Sequence, residues 1–81
     1  MTTGAQIDDA IIRYLKTASG RWRKVAMVIG QASDTLMGEL PDGEAGYKLV
    51  ATRIETLVAS GRLVSQGDLS LWRNSEVCLP T

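Results

Sequence analysis

A chain of 81 residues with 44% apolar content can bury one core but not two, and it is too apolar to be a disordered chain. Nine basic and nine acidic side chains cancel, so the strong positive excess of a dedicated nucleic-acid binder is excluded, although a local basic face is not. The single cysteine, Cys78, excludes a disulfide within these residues and suits a reducing compartment.

The first predicted helix covers residues 3 to 18. Thr3 and Gln6 fit a capping box, with Asp8 and Asp9 in the favourable first turn. Ile7, Ala10, Ile11, Tyr14, Leu15 and Ala18 form its apolar stripe, and Asp9, Arg13 and Lys16 face solvent. Ser19-Gly20 ends it. A second helix is predicted from about Trp22 to Ala32, with Trp22, Val25, Ala26, Ile29 and Ala32 on one face and Val28 beside it. Met27 falls off that stripe, so it is expected either to be partly exposed or to meet another surface. Gly30 weakens this helix by about 1 kcal/mol relative to Ala, which implies close packing against a neighbour. Between residues 33 and 43, loop signals surround Leu36, Met37 and Leu40, which are expected to tuck down as a short helical turn.

The longest pattern runs from Glu44 to Ser60. Tyr47, Val50, Ala51, Ile54, Leu57 and Val58 recur at intervals of three and four, Asp42 is placed to cap the start, and Gly61 is the expected left-handed stop. Arg62 to Gln66 and Leu69 to Arg73 then flank Gly67-Asp68, which predicts a tight hairpin. After Asn74-Ser75, an extended segment resumes over residues 76–80. Helix, glycine, strand, turn, strand predicts a mainly α chain with a small β-hairpin. This is an α+β winged helix-turn-helix of three helices plus a carboxyl-terminal wing, in one domain over residues 1–81.

Catalysis finds no support. The chain has no histidine, and Cys78 has no imidazole to activate it or to complete a zinc site. Asp8-Asp9 and the scattered Glu residues read as helix-start and solvent-facing groups, and no phosphate-binding glycine pattern occurs. A non-catalytic protein without cofactor or metal is expected. Residues 1–6 lack the basic start and apolar run of a signal peptide, and no apolar stretch approaches the roughly 20 residues of a membrane span. A cytoplasmic protein with no membrane contact is therefore expected.

The one local charge cluster is Arg21-Trp22-Arg23-Lys24, at the predicted start of the second helix. Cations there oppose the helix dipole at a cost of a few tenths to about 1 kcal/mol, which a bound anion such as DNA phosphate would offset. On the long helix, Lys48, Thr52 and Arg53 face away from the core or flank it and are placed for base or phosphate contacts. Glu55 suits a phosphate poorly, and Leu49 suits a protein interface better than a groove. The acid in Gln66-Gly67-Asp68 also weighs against a phosphate-touching wing. Trp72 reads as core or interface.

Several runs together span nearly the whole chain. They are Ile7-Asp8 with Ile11, Trp22 with Lys24-Val25-Ala26, Arg53-Ile54 with Leu57-Val58, Gly61-Arg62-Leu63, Gly67-Asp68-Leu69, and Arg73-Asn74-Ser75-Glu76-Val77. The combination resembles a group of uncharacterised bacterial winged-helix-like domains, sometimes found at the carboxyl end of a larger protein, that end in an Arg-x-Ser-Glu-Val strand. It also resembles the broader winged-helix superfamily, most of whose bacterial members bind DNA. The resemblance implies the fold but assigns no binding residues. In the last run, Ser75 and Glu76 are expected to form a polar pair with Arg53 or Arg73 that locks the strand onto a helix.

The leading expectation is a regulatory domain that binds double-stranded DNA, as a dimer, through Arg21, Arg23, Lys24, Lys48, Thr52 and Arg53. The alternative is a protein-interaction module on the same scaffold, using Leu49, Met27, Leu36 and Met37 toward another protein or a second copy.

Overall fold

The computed structural model of the protein describes residues 4–36, 39–41 and 43–80. Helix α1 (Gly4–Thr17) is followed by a two-residue strand β1 (Arg23–Lys24), α2 (Val25–Thr35) and α3 (Glu44–Ala59). Strand β2 (Val64–Gly67), a single 3-10 turn (Trp72–Asn74) and β3 (Ser75–Cys78) complete the order. The three strands form one antiparallel sheet in the order β1-β3-β2. Three helices closed by this small sheet give the expected α+β winged-helix layout. Among the described residues no helix is long and apolar enough to cross a membrane. Thr3, Met37 and Asp42, to which capping and packing roles were assigned, lie outside the described residues.

The apolar stripes of the helices meet in one core. Ile11 and Leu15 of α1 pack with Val25, Val28 and Ile29 of α2, and with Val50, Ile54 and Leu57 of α3. Leu63 and Val77 close it from the sheet. Each such side chain contributes about 1.5–3 kcal/mol through removal from water. Leu36 is buried and Leu40 packs on the edge, as the tucked turn requires. The end of α3 explains the entry into the sheet. Gly61 adopts φ 82°, its N–H donates to the Val58 carbonyl (3.1 Å), and the Arg62 N–H donates to the Leu57 carbonyl (2.9 Å). This paired bonding satisfies the last turn and turns the chain sharply, so Leu63 drops into the core.

Three local expectations are corrected. The second helix begins at Val25, not Trp22, because Arg23 and Lys24 are extended and pair with Val77 and Glu76 of β3. Trp22 is consequently 40% exposed rather than on the buried stripe, and Tyr47 is likewise exposed. The wing is not a tight hairpin with a second strand at Leu69 to Arg73. Asp68 Oδ1 accepts from the Ser70 N–H (2.9 Å) and Oγ–H (2.7 Å), the Leu71 N–H donates to the Asp68 carbonyl, and the chain curls into the 3-10 turn. The returning strand is Ser75–Cys78 instead, with Val64 opposite Cys78 and Gly67 opposite Ser75. Gly67 has φ 82°, and a Cβ there would collide with the Asn74 carbonyl, so glycine is needed where the loop closes. Finally, the close packing expected at Gly30 is not found: among the described residues, no atom beyond its chain neighbours and its own helix backbone lies within 4 Å of the Cβ that it lacks.

Candidate docking groove on the second helix

The six residues expected to carry DNA contacts fall into two separated groups. On α3, Lys48 and Thr52 are exposed, and the Thr52 hydroxyl donates to the Lys48 carbonyl (2.9 Å). Arg53 is already engaged. Its Nε donates to Asp8 Oδ1 (2.8 Å) and its Nη2 to Asp8 Oδ2 (2.7 Å), a bidentate pair joining α3 to α1. The hydrogen bonds to Asp8, and then its charge, hold the Arg53 guanidinium above its usual range. Asp8 is thus buried rather than solvent-facing, which corrects the reading of Asp8-Asp9 as helix-start groups. The signal was present in the sequence: Asp8, Ile11 and Leu15 share a helical face, and Arg53 borders the stripe of Val50, Ile54 and Leu57. Two opposite charges therefore edge two apolar faces that must meet.

The other group, Arg21, Arg23 and Lys24, surrounds the start of α2. Arg23 lies opposite Val77, whose side chain is fully buried, so the Arg23 stem starts on the inner face of the sheet. Its Nε is buried and has no hydrogen-bond partner among the described residues. Lys24 lies on the outer face opposite Glu76, which in turn lies opposite Gln66. Neither Arg53 nor Arg73 pairs with the Ser75-Glu76 step, so the expected lock is corrected. Gln66 Nε2 donates to Glu76 Oε1 (2.7 Å), and the Ser75 hydroxyl donates to the Leu71 carbonyl (2.9 Å). Arg73 is instead carried by the 3-10 turn, which packs against α2 and β1.

These pieces frame a groove of about 680 Å³ along the outer face of α2. Ala26, Met27, Gly30, Gln31 and Asp34 recur at helical spacing along its length, with Trp22 at one end and Arg73 on the facing wall. Met27 is 52% exposed, as its position off the core stripe predicts. A neighbouring concavity behind Gly30 is lined by Ile29, Tyr47 and Trp72. A second groove of about 570 Å³ lies between the start of α1 and α3, where Leu49 (45% exposed) faces Leu40, Pro41 and Arg53. Cys78 is a buried free thiol, and among the described residues no three acidic or thiol side chains gather as metal ligands would.

No known family profile matches the chain, and no solved structure matches it. It is 36% identical over 83 aligned positions to the uncharacterized protein YjeN of Escherichia coli strain K12, an alignment that covers 94% of this chain and 73% of that protein. The chain belongs to the YjeN family. What the α2 groove of this YjeN-family domain can do follows from its chemistry alone. It presents adaptable apolar surface in Met27 and Trp22, a floor without side chain at Gly30, and cations unpaired among the described residues at Arg23, Lys24 and Arg73. The groove was hidden from sequence reasoning because it depends on the wing loop folding back onto α2.

Proposed function

We propose that this domain is a non-catalytic, cytoplasmic protein-docking module on a winged-helix scaffold, with α2 and the returning wing loop as its contact face. The observation that carries the reading is the exposure of Trp22 and Met27 beside the side-chain-free floor at Gly30. Apolar groups in a concave, polar-rimmed setting mark interaction surfaces. The face that a winged helix would offer to a major groove supports DNA poorly. The exposed surface of α3 carries Glu44 and Glu55 as well as Lys48, Arg53 is committed to Asp8, and the wing curls back instead of projecting a cation. A second reading, duplex DNA held by Arg21, Arg23, Lys24 and Lys48, draws support from the absence of ion-pair partners for these groups among the described residues.

One experiment separates the two. A photo-crosslinking amino acid replaces Met27 in one variant and Lys16 of α1 in another, and both are irradiated in cells. The isolated protein is tested in parallel for binding to a labelled mixed-sequence duplex at about 50 mM salt, where non-specific affinity is strongest. Docking predicts a discrete protein adduct at position 27, none at position 16, and no duplex binding. Salt-sensitive duplex binding that weakens on replacing Lys24 and Lys48, with no adduct at position 27, refutes docking in favour of DNA.

A further inference from the structure

We propose that the α2 groove takes an extended acidic peptide segment, about four residues long, with a carboxylate beside Lys24 and Arg73 and apolar side chains over Met27 and Trp22. The inference rests on the docking reading and specifies its ligand. Length comes first. From Ala26 to Asp34 the helix advances about 12 Å at ~1.5 Å per residue, and four extended residues span about 13 Å at ~3.3 Å each. Shape follows from Gly30, at mid-groove: among the described residues, nothing beyond its chain neighbours and its own helix backbone lies within 4 Å of a Cβ there, so the helix backbone itself forms a notch for one partner side chain. Met27 supplies a flexible, polarizable wall and Trp22 a flat one, both half out of water with no covering group.

Charge gives the segment its sign and direction. Arg23 and Lys24 line the groove at the amino end of α2 and Arg73 its facing wall, and none has an ion-pair partner among the described residues. Two acids face it. Glu76 lies opposite Lys24 but is held by Gln66 Nε2, and Asp34 stands at the far, carboxyl end of α2. The groove is therefore positive at one end and negative at the other, and it selects a segment of the reverse polarity. A nucleic-acid backbone fits this pattern less well. Its regularly spaced phosphates would meet Asp34, and it has nothing apolar to lay on Met27.

The test is a titration of the labelled protein, followed by amide and indole NMR signals. The probes are a blocked four-residue peptide with glutamate at one end followed by leucines, the same peptide with lysine for glutamate, and a mixed-sequence duplex. At about 1 mM, where even weak association is populated, the acidic peptide is expected to move the Trp22 indole, Met27 and Gly30 signals. The basic peptide is expected to bind about tenfold more weakly, the sum of several modest rim attractions. Lys24→Glu with Arg73→Glu should invert that order. Gly30→Leu, which has room to fold, should abolish binding by filling the notch. Equal binding of both peptides, no inversion on charge reversal, no response to either peptide, shifts confined to the Leu49 groove, or displacement of the peptide by duplex each overturn the proposal. If the Met27 crosslink persists while acidic preference fails, only this inference falls. If both fail, the docking reading falls with it.

Discussion

Two helical glycines should answer the same substitution with opposite signs. Gly30 lies at mid-helix in α2 with open space where a Cβ would stand, so Gly30→Ala collects the ordinary helix-propensity gain of about 0.8–1 kcal/mol. Gly46 is the third residue of α3 and is buried. A Cβ there would collide with the Pro41 carbonyl oxygen and meet the Leu40 Cβ at 3.5 Å. The colliding atom is backbone, so relief requires moving the loop or the first turn of α3. Such overpacking costs about 2–3 kcal/mol, and a propensity gain of at most about 1 leaves a net loss of about 1–2 kcal/mol. For a domain of this size, 1 kcal/mol moves Tm by about 4–8 °C. Gly30→Ala should therefore raise Tm by roughly 3–8 °C and Gly46→Ala lower it by roughly 5–15 °C. Thermal unfolding by far-UV circular dichroism, with urea midpoints at unchanged slope, reads both. A Gly46→Ala protein as stable as the parent or more so would refute the close approach of Pro41 to α3.

Ser19 holds φ 55° where the chain leaves α1, so Ser19→Gly should stabilise by about 0.5–1 kcal/mol, the backbone strain relieved less the added entropy of the unfolded chain. Calorimetry showing a loss would place the strain elsewhere. Asp8→Asn and Arg53→Lys should each lower Tm, because neither amide nor ammonium reproduces the two parallel bonds, and the double variant should cost less than the sum. Additive losses would mean that the two groups act separately. The Ser70 hydroxyl, then its N–H, hold the Asp68 carboxyl below its ordinary 3.8. The unfolded chain therefore binds more protons in acid, and this contribution is complete above the ordinary value and lost as pH falls through the lowered one. Asp68→Asn should flatten that part of the acid limb, and an identical limb would remove Asp68 as its source. Ile11→Ala, at the centre of the core, should cost about 2–5 kcal/mol in urea unfolding.

The helices were legible because each apolar stripe repeats at three and four, and Gly61 announced its own turn. Periodicity could not see pairing across the chain. Arg23-Lys24 looks helical beside Val25-Ala26 and becomes a strand only because β3 is there to receive it. Leu69 to Arg73 alternates like a strand, yet the side chain of Asp68 captures Ser70 locally before a ladder can form. The expected basic site divided for a related reason. Lys48, Thr52 and Arg53 are neighbours on a helix, but a buried acid 45 residues away in sequence claims Arg53. Met27 and Leu49 could be read as exposed from their places off the stripes. Their grooves could not, since each needs a wall from a distant loop.

The strand order carries a consequence for how the chain is made. β3 is the final strand in sequence but the central one in the sheet, with β1 on one side and β2 on the other. Its pairing with β2 closes a short local loop, whereas its pairing with β1 closes roughly 50 residues. A ribosome-bound chain can therefore pack helices early, but it gains no sheet until residues 75–78 emerge. The β2–β3 hairpin should then form before β1 docks. A chain halted before Ser75 keeps three amphipathic helices with Leu63 uncovered by β3. It is a client for chaperones and proteases, not a smaller folded domain.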